Sequence, residues 1–309
     1  MKLVTYAQGD AIEKVGALLN DLKTLVDLSD KFSSMLDLID GKEAALTIAN
    51  KAVAENKKTI SIDAVRLLAP VPRPRQMRDC MLFEKHLKQA GQQIVRSRLG
   101  ILGKLLVYLG LPKIPKVWYD QPIYYKANRF SVIGTEQDVI WPSYSNMMDF
   151  ECEMGIVIGK EGKDIQKENA KGHIFGYLIF NDMSARDAQF KEMAGRLGPA
   201  KGKDFDTGNI LGPWLVTKDE IPDPYNLTMI ARVNGEEWGR GNSGDMHHKF
   251  EELIAHVSNC ETLYPGEILG SGTVGDGCGL EHGRFLKPGD VIELEVSKLG
   301  VLRNRIVKP

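Results

Sequence analysis

The chain is short of the patterns that would place it in several large functional classes. Its four cysteines (Cys80, Cys152, Cys260 and Cys278) form no C-x-x-C pair and no zinc spacing, which argues against a disulfide framework or a thiolate metal knuckle. Free thiols in a reducing cytoplasm are the expectation. An excess of one charge is missing too: 40 Lys and Arg face 41 Asp and Glu, a formal net charge of -1. The whole-chain balance therefore gives no reason to expect nucleic acid or an anionic membrane as a partner. Long apolar runs are absent. The most apolar stretch, residues 101–111, is short and interrupted by Lys104, too little to span a bilayer. Met1 to Asp10 carries no signal-peptide core, so a cytoplasmic protein is expected.

What remains is an ordinary globular composition, 43% hydrophobic and 26% charged over 309 residues, enough for one large domain or two unequal ones. Residues 1–69 read as a small α/β N-terminal module, with a strand over 3–6, helices near 11–22 and 30–53, and a strand over 59–68. Pro70-Val-Pro-Arg-Pro74 sustains neither helix nor sheet and reads as a linker. A helix is predicted over 78–99. From Pro122 onward the texture changes to short strands between Gly, Pro and Asn/Asp turns, at 130–134, 150–158, 174–180, 213–217, 226–233, 266–270, 290–296 and 300–307. So many strands without regular helical spacers predict an α+β, β-rich domain over 70–309 rather than a doubly wound sheet.

Within Asp149-Phe-Glu-Cys-Glu-Met-Gly-Ile-Val-Ile-Gly159, period-two alternation puts Glu151 and Glu153 on one strand face and Phe150, Cys152 and Met154 on the other. Two carboxylates pointing together repel unless a cation or shared proton lies between them. They read either as ligands of a hard metal ion or as a solvated acidic face like Glu293 and Glu295. A second acidic segment, Phe180-Asn-Asp-Met-Ser-Ala-Arg-Asp-Ala-Gln189, ends an apolar strand at Asp182. There Asp182 is a metal ligand or a turn residue. Ser184 is expected to cap the next helix with Asp187 as its capping-box acid, and Arg186 and Gln189 share one helical face. Asp79 precedes His86 by seven residues, two turns of the predicted helix. A histidine so placed acts as a general base for water or merely packs.

Two glycine-rich loops complete the set. Gly198-Pro-Ala-Lys-Gly-Lys203 offers cations to a small anion, or is a solvated loop. Gly270-Ser-Gly-Thr-Val-Gly275 contains a formal G-x-G-x-x-G, but a turn into another strand follows instead of a helix, which excludes a dinucleotide fingerprint. It brings Thr273 or Glu281 towards a ligand instead.

Taken in order, these segments and the closing Leu299-Gly-Val-Leu-Arg-Asn-Arg305 resemble the fumarylacetoacetate hydrolase family from about residue 70 to 309. The resemblance implies a catalytic domain of mixed β-sandwich/β-roll type behind a variable N-terminal module. It implies a divalent cation, Mg²⁺ first with Ca²⁺ or Mn²⁺ as alternatives, held by Glu151, Glu153 and Asp182 with Asp79 beside them. It makes His86 the catalytic base, Glu281 its partner and Lys203 a stabiliser of the enolate. Arg186, Gln189 and Thr273 become substrate contacts, together with Tyr124 or Tyr125, of which Tyr125 is carried forward.

The activity implied is hydrolytic cleavage of a carbon–carbon bond in a 1,3-diketo acid, with Arg186 clamping a substrate carboxylate. Decarboxylation, tautomerisation or hydration of a 2-oxo acid is the alternative on the same fold, and a non-enzymatic binding member a remote one. A homodimer, a small diketo or oxo acid as substrate, and neither nucleic acid nor membrane as partner complete the expectations.

Overall fold

The computed structural model describes residues 1–9 and 13–309. Among the described residues the strands form one large mixed sheet, one five-stranded sheet and one two-stranded ladder. The large sheet runs, edge to edge, through Thr59–Ser61, Thr24–Asp27, Lys14–Leu18, Lys2–Ala7, Asn209–Thr217, Ile174–Asp182, Cys152–Ile158, Ile268–Gly270, Met77–Cys80 and Tyr124–Lys126. Its three central members are buried at nearly every position. A strand covered on both faces must be apolar throughout, and Ile156-Val-Ile158 and Tyr177-Leu-Ile-Phe180 meet that requirement.

One face of this sheet packs on the five-stranded sheet, made of Glu236–Asn242, Thr228–Val233, Val291–Val296, Gly300–Val307 and Asp138–Ile140. Met154, Ile156, Tyr177 and Ile179 from the large sheet share one core with Met229, Ala231, Ile292 and Leu294 from the smaller. Helix Phe250–Ser258 seals that core with Phe250, Leu253 and Ile254. The other face packs Val157, Phe175, Leu178 and Leu215 against Leu38, Ile39, Ala45 and Ala49 of helices Met35–Asp40 and Lys42–Glu55. This is the β-rich α+β architecture expected, with open sheets.

Residues 1–69 extend the large sheet. Lys2–Ala7 pairs antiparallel with Asn209–Thr217, placing Leu3 opposite Leu215. Several local expectations fail. The helix expected over 11–22 gives way, over the described residues, to strand Lys14–Leu18, hairpinned to Thr24–Asp27; Ala11 and Ile12 lie outside the described residues. The helix over 30–53 is two helices, Met35–Asp40 and Lys42–Glu55, because Gly41 closes the first turn run with its N–H on the Asp37 and Ile39 carbonyls. The strand expected over 59–68 is two short strands around a 3₁₀ turn.

The helix expected over 78–99 is also displaced. Met77–Cys80 is a strand parallel to Ile268–Gly270, and the helix is Glu84–Tyr108. Asp79 and His86 are therefore not two turns apart on one helix: the strand supplies the first and the helix's first turn the second.

Candidate metal and catalytic site

Four carboxylates from three segments converge where the central strands of the large sheet end. Asp79 comes from strand Met77–Cys80, Glu153 from Cys152–Ile158, Asp182 from the end of Ile174–Asp182, and Glu151 from the residue just before its strand, bridged to Cys278. One oxygen from each lies within 4.8 Å of the others, and all four residues are buried. The glycine loop makes this approach feasible. A Cβ at Gly270 would sit 2.5 Å from Asp79 Oδ1, and one at Gly272, whose φ is +74°, would sit 2.2 Å from the Cys80 carbonyl. Only a residue without a side chain lets the loop pass.

The electrostatics follow from burial and the neighbouring charges. Lys203 Nζ lies 2.6 Å from Glu151 Oε2 and 2.6 Å from Asp182 Oδ2. Arg186 Nη1 lies 2.8 Å from Glu151 Oε1. Burial opposes ionisation of Glu151, but these two cations overcome it and hold the carboxyl down to about 2. Asp79 has no such partner: burial, then the charge of Asp182, push it up to about 8. Burial and Asp79 likewise push Glu153 well above the carboxylate range. Asp79 Oδ1, Glu153 Oε1 and Asp182 Oδ1 are buried without a hydrogen-bond partner among the described residues. Desolvated carboxylate oxygens in this state call for a cation, and an all-oxygen donor set suits a hard divalent ion. The residues present thus fit the cation the sequence led us to expect.

Around this cluster the remaining predicted residues fall into two groups. On one side His86, buried in the first turn of its helix, places Nδ1 3.2 Å from Glu281 Oε1. Glu281 is itself fixed by N–H groups of Asp276 at 3.2 Å and Cys278 at 3.0 Å. Nδ1 is thereby engaged, and the His86 ring borders a cavity of about 730 Å³ that Glu151, Glu153, Tyr125, Gln189 and Thr273 also line. On the other side Tyr125 donates to Asp182 Oδ2 at 2.6 Å, and burial raises its own hydroxyl pKa well above the usual value. Of the two tyrosines considered, Tyr125 is the one on the carboxylates.

Three expectations are revised here. Arg186 is not an open clamp: Nε and Nη2 bind Asp149 Oδ2 at 2.8 and 2.7 Å, and Nη1 reaches Gln189 Oε1 at 2.9 Å as well as Glu151. A bidentate pair with a substrate carboxylate would have to displace Asp149. Lys203 directs its donors to Glu151, Asp182 Oδ2 and the Asp182 carbonyl at 3.2 Å, so it balances the carboxylates in this structure. Ser184 does not cap the helix after it. That helix, Arg186–Ala194, starts from Ala185, while Ser184 donates to the Asp182 carbonyl and Asp187 accepts from Ser145 Oγ and the Asn146 N–H.

Asp149 is the residue missed. It accepts from Arg186 and from the Gly279 and Leu280 N–H groups at 2.7 and 2.9 Å, tying its strand, Met148–Asp149, to the short helix that carries Glu281. Its period-two parity with Glu151 and Glu153 was the available signal.

Two packed sheets, with a buried carboxylate cluster at the strand ends and a histidine–carboxylate pair on the wall of the same cavity, are an architecture suited to small oxygen-rich ligands. Comparison with known proteins makes this specific. The chain belongs to the fumarylacetoacetate hydrolase family, whose C-terminal domain model matches residues 85–307. It is 35% identical over 277 residues to the human mitochondrial oxaloacetate tautomerase FAHD2A, covering 89% of this chain and 80% of that protein. With the Rattus norvegicus mitochondrial oxaloacetate tautomerase Fahd2a it shares 36% identity over 294 residues, 95% of this chain and 85% of the other. A fumarylacetoacetate hydrolase from Exiguobacterium antarcticum superposes with a TM-score of 0.77 at 26% identity, covering both chains fully. Maleylpyruvate hydrolase from Sphingobium sp. SYK-6, solved with manganese(II) and pyruvate, shares the fold at a TM-score of 0.75 and 22% identity, over 100% of this chain and 99% of that one.

Proposed function

We propose that the chain catalyses cation-dependent proton transfer on a 2-oxo acid, interconverting keto and enol forms of an oxaloacetate-type substrate. The observation that carries this reading is the buried His86–Glu281 pair, whose engaged Nδ1 leaves Nε2 as the proton-transferring atom beside the carboxylate cluster. A divalent cation held by Glu151, Glu153 and Asp182, with Asp79 beside them, would act as a Lewis acid towards two substrate oxygens. Glu281 fixes the imidazole tautomer and stabilises the charge His86 acquires on taking a proton from the carbon next to the ketone; returning that proton to the enolate oxygen gives the enol. Lys203 and Arg186 keep Glu151 ionised, so this carboxylate retains its charge despite burial. Gln189 and Thr273 line the cavity beside the cluster and are polar contacts for substrate oxygens. The relatives of 35–36% identity support the tautomerase reading.

Carbon–carbon hydrolysis of a diketo acid is the second reading, and one observation favours it. The cavity of about 730 Å³ continues past the polar end along Leu87, Ile94, Phe190 and Met193, more room than a four-carbon acid fills and in the range of sites for larger ligands. Both readings pass through an enolate and differ in whether His86 activates water. A panel of oxaloacetate, acylpyruvates and fumarylacetoacetate with Mg²⁺ or Mn²⁺, followed by enol absorbance and product analysis, separates them. Enol loss from oxaloacetate without new products supports tautomerisation, and two carboxylate products support hydrolysis. The homodimer belongs to the same proposal and is checked by sedimentation.

A further inference from the structure

A second feature lies outside this chemistry, in the segment from Gly91 to Tyr119. Twenty-nine residues pass without an Asp or Glu while Arg96, Arg98, Lys104, Lys113 and Lys116 all stand exposed. The near-zero net charge of the whole chain conceals this local excess. Of the five, only Lys116 has a carboxylate partner among the described residues, Asp120.

The backbone explains how the segment is displayed. Gly100 takes φ +55° inside the helix span, so the chain breaks direction there. Gly103 then packs so tightly that a Cβ would stand 2.3 Å from the Val95 carbonyl. The second half thus lies back against the first, turning Gly103, Leu106 and Val107 inward. Outward point Ile101, Leu102, Leu105, Tyr108 and Leu109, the i, i+1, i+4, i+7, i+8 pattern of one helical face. Ile101 and Tyr108 are each 87% exposed and Leu109 64%. An apolar face of this size normally marks an interaction site.

We infer that this helical face docks on the surface of an anionic phospholipid bilayer, lying in the interface without crossing it. Charge decides between the candidate occupants. In a two-fold dimer the patch would meet its own copy, bringing two basic segments together with no acid in either to separate them. An anionic bilayer satisfies both halves of the pattern: the apolar side chains enter the headgroup boundary, and the flanking Arg and Lys meet lipid phosphates. Among the described residues no helix is long and apolar enough to cross a membrane. Arg98, beside this face, also lines the catalytic cavity, as do Met193, Arg196 and the 99% exposed Leu197. Docking would set that cavity's mouth at the lipid boundary.

Co-sedimentation of the full chain with vesicles of phosphatidylcholine alone, or mixed with phosphatidylglycerol, tests the inference. The wild type is expected to pellet with the anionic vesicles, to stay in solution with the neutral ones, and to be released by salt. Arg96→Gln and Lys104→Gln should each weaken partition about fivefold, and the Ile101→Gln/Leu105→Gln double variant should abolish it at an unchanged melting temperature. A wild type that ignores anionic vesicles, or binds neutral ones equally, overturns the inference. So does a double variant whose mass in solution falls to that of a smaller oligomer while vesicle binding persists, which would assign the face to a second copy of the chain.

Discussion

His86 and Glu281 lie 195 residues apart in sequence and 3.2 Å apart in space, one on the first turn of a long helix and the other on a four-residue helix, Gly279–His282. The two backbone N–H groups on Glu281 hold its carboxylate in place, so the pair is preorganised before any ligand arrives. Glu281→Gln is expected to reduce kcat by about 10²-fold with little change in KM or metal affinity, and His86→Asn to reduce it by about 10³-fold. Steady-state kinetics with a parallel metal titration check both.

Glu153 is a buried carboxylate of the proposed cation site. Its Oε2 accepts from the Gly272 N–H at 3.0 Å and its Oε1 has no hydrogen-bond partner among the described residues. Glu153→Ala and Glu153→Gln should abolish activity and the Mg²⁺-dependent rise in melting temperature. Glu153→Gln should also melt higher than the wild type when both are stripped by chelator near pH 7, because the buried Glu153 must take up a proton to fold there and Gln need not. For comparison, saturating a wild-type site at about 100 times its Kd adds about 2.7 kcal/mol. Scanning calorimetry with and without metal measures each term.

Lys203 is 3% exposed between Glu151 and Asp182. Removing one member of a buried charge network leaves the others uncompensated, typically at about 3–5 kcal/mol. Lys203→Met should therefore destabilise the metal-free chain by about that amount, with Mg²⁺ restoring more stability than it adds to the wild type. Urea unfolding in the two conditions reads this directly.

Stability should depend on pH in a direction set by the same cluster. Asp79 is raised from the usual 3.8 to about 8, and Glu153 is raised with it. A carboxyl whose folded-state pKa is raised stabilises the fold fully below its unfolded pKa, and that contribution is lost as pH climbs through the folded value. Glu151, held at about 2, acts oppositely, but its contribution is lost only as pH falls from the usual 4.5 towards 2. Between about pH 5 and about pH 8 the first effect governs. The metal-free protein should lose thermal stability across that window, and Mg²⁺ should raise the melting temperature more at the upper end than at the lower.

Sequence reading went furthest where one segment carried its own pattern. The strand alternation around Glu151 and Glu153, the apolar run ending at Asp182, and the strands through 174–180, 290–296 and 300–307 stand as read. It failed where distant partners decide the structure. Asp79 lies in a strand because Met77 and Arg78 pair with Ile268 and Leu269, a contact across some 190 residues that no local window contains. Residues 14–18 are a strand because Lys2–Ala7 and Thr24–Asp27 flank them, and Leu3 continues that sheet to Leu215. The donors of Arg186 and Lys203 could not be assigned from residue types alone: both cations were expected to face substrate, and buried carboxylates take them instead.

The central claim is that enolate chemistry occurs at the carboxylate cluster and needs a divalent cation. The initial rate of enol disappearance from oxaloacetate, with Mg²⁺ and then with excess chelator, for the wild type, Glu153→Ala and His86→Asn, tests it most directly. The account predicts rapid loss only for the metal-supplied wild type, with both variants and the chelated enzyme close to the uncatalysed rate. Undiminished turnover by chelated wild type or by Glu153→Ala would contradict it.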